Sequence, residues 1–346
     1  MVTQADIAKK AGVARATVSR IFNGDSRVNE ETARKVLEIA ESLGYTHPRF
    51  EKRRRNLTVV ICEGSMGTDV TEARFFMQII TGISDYCRAF GYGTEIVTLR
   101  HEQNDRLISD FRQILASSKT DGVILPSVIP ISEGVLGPFL DEGRPLVLIN
   151  RYLDQLPIDC VVNDDLWVGR YAGEHLLQQG HVRIGFIGGF SRSTAMRDRF
   201  SGFRDALLDA DAFDIDLCSF HEHVTVAAGH EGMCRLLDRR EQVTAVFCAN
   251  DESAFGAIKA IREAGLSVPH DISVIGHDGL VDIWEDQVSL TTFKFRLYDL
   301  GYAAAQLLSV RLGNPQTPPQ HLVMRPSFVV GSTVRSIHNH DNRERA

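Results

Sequence analysis

The chain has 346 residues, of which 43% are hydrophobic and 24% charged, a composition typical of a soluble globular protein long enough for two or three domains. No apolar run approaches the length of a bilayer-spanning helix, and the opening M-V-T-Q-A-D-I-A-K-K lacks the apolar core of a secretory leader, so the chain is expected to be cytoplasmic. The net charge of -7 conceals an asymmetry: residues 1–56 hold 12 Lys and Arg against 7 Asp and Glu, and the remainder holds 26 against 38, so only the first segment suits a polyanion.

In chain order, Thr3 and Asp6 have capping-box spacing, and Ala5, Ile7, Ala8 and Ala11 follow at helical intervals. Gly12 is expected to take positive φ at a tight turn. A second short helix is predicted over about Arg15 to Phe22, with Val18, Ile21 and Phe22 inward, and Asn23-Gly24 ends it. A third starts after the N-cap Asn29, with Glu30 and Glu31 in its first turn and an apolar stripe of Ala33, Val36, Leu37, Ala40 and Leu43. Three short helices with a tight turn between the first two make a helix-turn-helix unit.

Residues 47–56 change character: Pro48 breaks local structure, and the cations of 52–55 would repel one another in a core, so the stretch reads as a basic linker. From Leu57 onward short apolar runs at 57–62, 95–99, 122–126, 145–150, 182–188, 244–249 and 272–276 alternate with amphipathic stretches near 71–90, 104–118, 166–179, 196–209, 228–239, 252–264 and 297–312. Apolar strands separated by helices indicate α/β structure, with parallel sheets covered on both faces; this length suggests two lobes. The cysteines, at 62, 87, 160, 218, 234 and 248, form no C-x-x-C pair, and several sit in apolar runs where a reduced thiol packs as a small hydrophobe.

The stretch A-D-I-A-K-K-A-G-V-A-R-A-T-V-S-R-I-F-N-G, followed by V-N-E-E-T-A-R-K-V-L-E-I-A-E-S-L-G-Y, resembles the DNA-binding domain of the lactose-repressor (LacI/GalR) family. R-F-F-M-Q-I-I-T-G-I, H-L-L-Q-Q-G-H, R-D-R-F-S-G-F, F-C-A-N-D-E-S-A-F-G-A, I-S-V-I-G-H-D and S-L-T-T-F-K extend the resemblance through the body to about Val334. The resemblance implies an all-α helix-turn-helix domain over 1–46 and a shortened hinge over 47–56. It also implies a two-lobed, periplasmic-binding-protein-like core for effector binding and dimerisation over 57–336, with crossovers near 160, 290 and 323. Residues 337–346 read as a disordered tail without a leucine heptad.

The implied function is a repressor that binds a pseudo-palindromic double-stranded DNA operator as a homodimer, under control of a small polar effector such as a sugar or sugar derivative. By the resemblance Arg15, Ala16 and Arg20 occupy the positions that face bases, and Arg suits a guanine because its fork meets O6 and N7 together. Thr3, Thr17, Ser19, Asn23 and Asn29 suit phosphate positioning, as do Lys52, Arg53, Arg54 and Arg55 of the linker. Ala14 stands where relatives commonly carry Ser or Thr, removing a cap worth about 1 kcal/mol. The linker lacks the Ala-Arg-x-Leu hinge helix; it reads either as a basic tether or as presenting Phe50 as a minor-groove wedge.

In α/β sheets ligands bind beyond the carboxyl ends of strands, where Asp164, Arg199, Asn250 and Asp278 fall, and by resemblance these are effector positions with Phe75 and Phe76 lining the cleft. Asn250 or Asp251 could instead cap a helix, Asp278 could simply end a strand, and Trp167 and Trp284 suit either sugar stacking or packing. No enzyme signature is present: G-x-S-x-G, a Walker loop and H-E-x-x-H are missing, and G-F-I-G-G at 185–189 lacks dinucleotide spacing. His221-Glu222-His223 reads as a solvated turn rather than a metal site, and neither cofactor nor metal is expected. The rival readings are a solute-binding transport protein, a nucleobase- or nucleoside-responsive regulator of the same fold, and, more remotely, a sugar-converting enzyme.

Overall fold

A computed structural model describes residues 2–22, 28–43, 45, 55–63, 70–100, 104–117, 119–126, 133–189, 193–238, 243–279 and 289–337. Asn23, the linker with Phe50 and Lys52–Arg54, Trp284 and residues 338–346 of the tail lie outside these. Internal contacts group the chain into two units, residues 1–56 with 91–93, and the remainder.

The first unit holds α1 (Gln4–Ala11), α2 (Arg15–Phe22) and α3 (Glu30–Ser42). Thr3 caps α1 reciprocally: its hydroxyl accepts from the Asp6 amide at 3.4 Å, while Asp6 Oδ2 accepts from the Thr3 amide at 2.8 Å. Gly12 ends the helix at φ 69°, where its amide donates to the Ala8 carbonyl. Ile7, Ala8, Ala11, Val18, Ile21, Val36 and Ala40 form one small core. Leu37, expected in the stripe of α3, is 37% exposed; Ile39 packs against that core instead. A step of about 100° per residue carries Leu37 off the face shared by Val36 and Ala40.

The second unit contains β1 (Asn56–Glu63), α4 (Val70–Phe90), β2 (Gly93–Arg100), α5 (Asn104–Ala116), β3 (Gly122–Pro126), α6 (Glu133–Asp141), β4 (Leu146–Ile149) and β5 (Asp159–Asn163). Next come α7 (Asp165–Gln178), β6 (Ile184–Gly189), α8 (Thr194–Leu208), β7 (Cys218–His221), α9 (Val226–Leu237), β8 (Ala245–Cys248), α10 (Asp251–Glu263), β9 (Ser273–Ile275) and β10 (Thr292–Lys294). α11 (Leu297–Gly313), β11 (His321–Met324) and β12 (Ser327–Val329) complete the order.

Two sheets result, β11-β5-β4-β3-β1-β2 and β7-β6-β8-β9, with a small β10-β12 antiparallel ribbon. In the first sheet Val123, Leu125, Leu146 and Leu148 face a core with Phe111, Leu115 and Phe139 from α5 and α6, while α11 packs on β3, β4 and β5 and pairs with α4. The second is covered by α9 and α10 on one face and by α7 and α8 on the other. Strands so sandwiched carry few polar side chains, which is why most of them read as continuous apolar runs. Among the described residues, the chain leaves the first sheet from β5 into α7, returns to it from the ribbon strand β10 through α11, and leaves it again from β11 into the ribbon strand β12.

The α7–α8 pair positions the polar interior of the second unit, because Asp165 of α7 and Arg199 of α8 meet there, both buried and 2.7 Å apart. The two backbones approach so closely that a Cβ at Gly169 would overlap the Arg199 carbonyl oxygen, and one at Gly202 that of Leu166. A methyl group there must push the helices apart. Gly169→Ala is expected to lower the stability of the full chain by about 1–3 kcal/mol, read as an earlier midpoint in urea; an unchanged midpoint would show that the helices separate freely.

Candidate functional site

In the first unit, the inward set of α2 fixes what points outward. Val18 and Ile21 are buried, so Arg15, Ala16 and Arg20 are exposed, and Thr17 and Ser19 are half-buried at the edges. The Ala14 carbonyl accepts from the Thr17 and Val18 amides at 2.9 and 3.2 Å, and alanine supplies no side-chain acceptor at this start. The Thr3 hydroxyl also donates to Asp6 at 2.7 Å, so the capping box already occupies it. Asn29 accepts from the Thr32 amide at 3.4 Å as the start of α3, and Arg55 is exposed at the end of the described linker.

In the second unit the strand ends and crossings gather a buried polar cluster. Arg199, on α8, is 2% exposed; its Nε donates to Asp165 Oδ1 at 2.7 Å and its Nη1 to the Ala249 carbonyl. Asp165 opens α7, and burial raises its carboxyl to about 6 despite the neighbouring guanidinium. His277 is fully buried, with Nδ1 2.8 Å from Asp278 Oδ1 and Nε2 3.8 Å from Asp165 Oδ1. Nε2 has no hydrogen-bond partner among the described residues. Burial first and Arg199 second push the His277 imidazole well below its ordinary value, so it is neutral. Burial, reinforced by Asp251, raises Asp278 well above the usual carboxylate range.

Aromatic rings close this cluster: Phe295 meets the His277 ring edge-on at 4.4 Å, and Phe75 meets Phe295 at 6.1 Å and Phe76 at 5.5 Å. Asp251 accepts from the Gly279 amide at 2.9 Å and the Thr292 hydroxyl at 2.6 Å. At the end of β5, Asn163 is 3% exposed; its Nδ2 reaches Asn150 Oδ1 at 3.4 Å, while its own Oδ1 has no partner among the described residues. Asn150 and Asp278 both take positive φ, 62° and 121°. Nearby, the loop after β4 meets α8: Tyr152 donates to Asp198 at 2.7 Å, Arg197 donates to the Tyr152 oxygen at 2.6 Å, and Arg197 reaches Asp154 at 3.2 Å. Burial and Asp198 raise the Tyr152 phenol to about 12.

The residues singled out from sequence thus fall in different settings. Arg199, Asp278 and Phe75 belong to the buried cluster, and Phe76 stands beside Phe75. Asn250 caps α10, accepting from the Ser253 amide at 2.9 Å and donating to the Val224 carbonyl at 2.8 Å. Asp164 caps α7 through the Trp167 amide at 3.2 Å and pairs with Arg325 at 3.2 Å, whereas its neighbour Asp165 meets Arg199. Trp167 packs on Tyr171 and Phe293 with the Arg325 guanidinium over its ring. Sequence reading did not single out Asp165, His277, Phe295 or Tyr152. The Asp-Asp pair opening a helix and the histidine ending an apolar strand were the available signals. Among the described residues, no group of three or more His, Cys, Asp or Glu is arranged to hold a metal ion, and no helix is long and apolar enough to cross a membrane.

The Asp165 shift carries a pH signature. A carboxyl raised in the folded state binds its proton more tightly there than in the unfolded chain, so its contribution is fully present below the ordinary carboxyl value and is lost as pH rises. Between about pH 4 and about 6 that one group should remove on the order of 3 kcal/mol. Asp165→Asn, which keeps the acceptor for Arg199, is expected to flatten the fall in unfolding free energy across that window, measured by urea denaturation at stepped pH; an unaltered slope would place the titration elsewhere.

Comparison with known proteins agrees with both units. The family model for Bacterial regulatory proteins, lacI family, matches residues 3–48, and that for the Periplasmic binding protein-like domain matches residues 174–334. The HTH-type transcriptional repressor PurR of Mannheimia succiniciproducens is 30% identical, over 97% of this chain and 100% of its own. A transcriptional regulator CelR–cellobiose complex superposes with a TM-score of 0.71 at 28% identity, covering 96% of this chain and 100% of that one. The lac repressor dimer bound to operator and the anti-inducer ONPF gives a TM-score of 0.69 at 25% identity, over 96% and 99%. By its helix-turn-helix unit, its two-sheet core and relatives that match it along nearly its whole length, the chain belongs to the lacI family of bacterial regulatory proteins.

Proposed function

We propose that this chain is a cytoplasmic transcriptional repressor that binds a pseudo-palindromic operator as a homodimer and releases or grips it according to a small polar effector held between its lobes. The observation that carries the reading is the division of α2, with Val18 and Ile21 inward and Arg15, Ala16 and Arg20 outward. A helix so divided can lie in a major groove with its first turns at the base edges. Arg20 and Arg15 read bases; Thr3, Thr17, Ser19, Asn29 and Arg55 position phosphates, together with Asn23 and Lys52–Arg54. The buried cluster of Arg199, Asp165, His277 and Asp278, with Phe75 and Phe295, supports an effector site that binds without turnover. Asp164, Asn250 and Phe76 border it. A sugar or sugar derivative suits this mixture of donors, acceptors and rings. The CelR complex with cellobiose and the lac repressor dimer on its operator support sugar control and dimeric DNA binding by analogy.

The rings of Phe75, Phe76 and Phe295 also favour a second reading, a flat nucleobase or nucleoside as effector. Screening sugars, sugar acids, nucleobases and nucleosides by thermal shift separates the two. A cognate ligand at about one hundred times its Kd adds about 2.7 kcal/mol, and each hit is then added to an operator-binding titration. Loss of one bidentate base contact costs about 1–3 kcal/mol. Arg20→Ala is therefore expected to weaken binding to the selected operator roughly 5- to 150-fold while leaving binding to unrelated duplex nearly unchanged. Equal loss on both DNAs would make Arg20 a phosphate contact, and steady chemical conversion of a hit would overturn the reading of the site.

A further inference from the structure

Away from the buried cluster, α9 and α10 cross so closely that a Cβ at Gly229 would overlap the Ser253 backbone, and one at Gly256 that of Val226. This brings one outward face of each helix together. His230 Nε2 on α9 lies 2.6 Å from Glu263 Oε2 on α10, and Cys234 Sγ, one turn further along α9, lies 3.8 Å from His230 Nδ1. Lys259 adds a cation 4.0 Å from the same carboxylate. Cys234 is exposed, and the side chains of His230 and Glu263 are 33% and 55% exposed.

An ionised carboxylate only accepts hydrogen bonds, so His230 donates through Nε2 and its Nδ1 lone pair faces the thiol. Nucleophile, base and orienting carboxylate therefore stand in the order that activates a weak nucleophile. We propose that Cys234, with His230 as its base and Glu263 orienting the ring, is a thiol-modification site that takes a small disulfide. His230 Nδ1 accepts the thiol proton as Sγ attacks one sulfur of the disulfide. A new S–S bond forms, the old one breaks, and the departing thiolate takes the proton back from the imidazolium. Protein thiol and disulfide become mixed disulfide and free thiol, with the small disulfide as the oxidant.

The hydrogen bond from His230 also holds Glu263 below the ordinary glutamate value, keeping it an acceptor. Other cysteines supply an internal contrast: Cys87, Cys160 and Cys248 are buried and Cys218 is half-buried. Burial pushes the Cys160 and Cys218 thiols up to about 12, and Cys248 higher still.

The test is to expose the full-length reduced protein to oxidised glutathione at neutral pH and map adducts by mass spectrometry over time. Cys234 is expected to be modified first, at least about tenfold faster than Cys87, Cys160, Cys218 or Cys248. Positioned bases commonly contribute on the order of a hundredfold or more, and less in an exposed pair, so His230→Ala should slow the Cys234 adduct about tenfold. That gap should narrow in alkaline buffer, where hydroxide takes the proton instead. Glu263→Gln, which keeps an acceptor but not the charge, should fall between the two, and circular dichroism checks that each variant folds. Uniform modification of the cysteines, an unreactive Cys234, or a His230→Ala rate equal to wild type would overturn the proposal.

Discussion

A guanidinium and a carboxylate, both removed from water, anchor the core of this regulator. Arg199 and Asp165 are 2% and 4% exposed, and removing either would leave a buried charge that water cannot reach. The pair joins α8 to α7 and, through the second guanidinium nitrogen, to the Ala249 carbonyl beyond β8. Its field extends further. Arg199 adds to the burial that keeps His277 neutral, and it partly offsets the burial that raises Asp278 above the usual carboxylate range. Burial sets the protonation of the cluster, and this ion pair, itself held by helices packed glycine against backbone, adjusts it.

Control of DNA binding from such a cluster requires a two-state element that both sites bias. The three crossings supply the connections, and two of them pass near a polar contact. β5 ends at Asn163 and leads to Asp165; β10 leads through Phe295 to α11; β11 leads through Arg325, which holds Asp164, to β12. The Tyr152–Asp198–Arg197–Asp154 group adds a non-covalent tie between a loop of the first sheet and a helix of the second. An effector can shift such an equilibrium only through contacts that differ between its two states.

The head was almost wholly legible from sequence, because capping boxes, left-handed glycines and helical stripes are local rules. Thr3, Asp6 and Gly12 adopted the roles their spacing demands; Leu37 did not, because its place on the helix turns it off the face shared by Val36 and Ala40. In the body the buried strands and long helices were legible as apolar runs. β5, β7, β10, β11, β12 and the short α6 were not singled out: several hold only three to five residues, and β11 is mostly exposed, so hydrophobic alternation has little to mark. The site was half legible. Asp278 follows a strand end, where a coarse reading looks, and Arg199 lies in the helix after β6, but whether Asp164 or Asp165 turns inward depends on which residue opens α7. The burial of His277 depends on Phe295, which lies far along the chain.

Asp278 shows what the fold gives up to keep its polar interior. At φ 121° its backbone occupies a region in which glycine is at ease and a residue with a side chain typically costs about 1–3 kcal/mol. It is held there by main-chain bonds to Phe293 and Phe295. A chain tuned for robustness alone would place glycine at this position and gain thermal tolerance. This one instead carries a carboxyl group 2.8 Å from a buried imidazole, a polar contact kept at the expense of backbone ease.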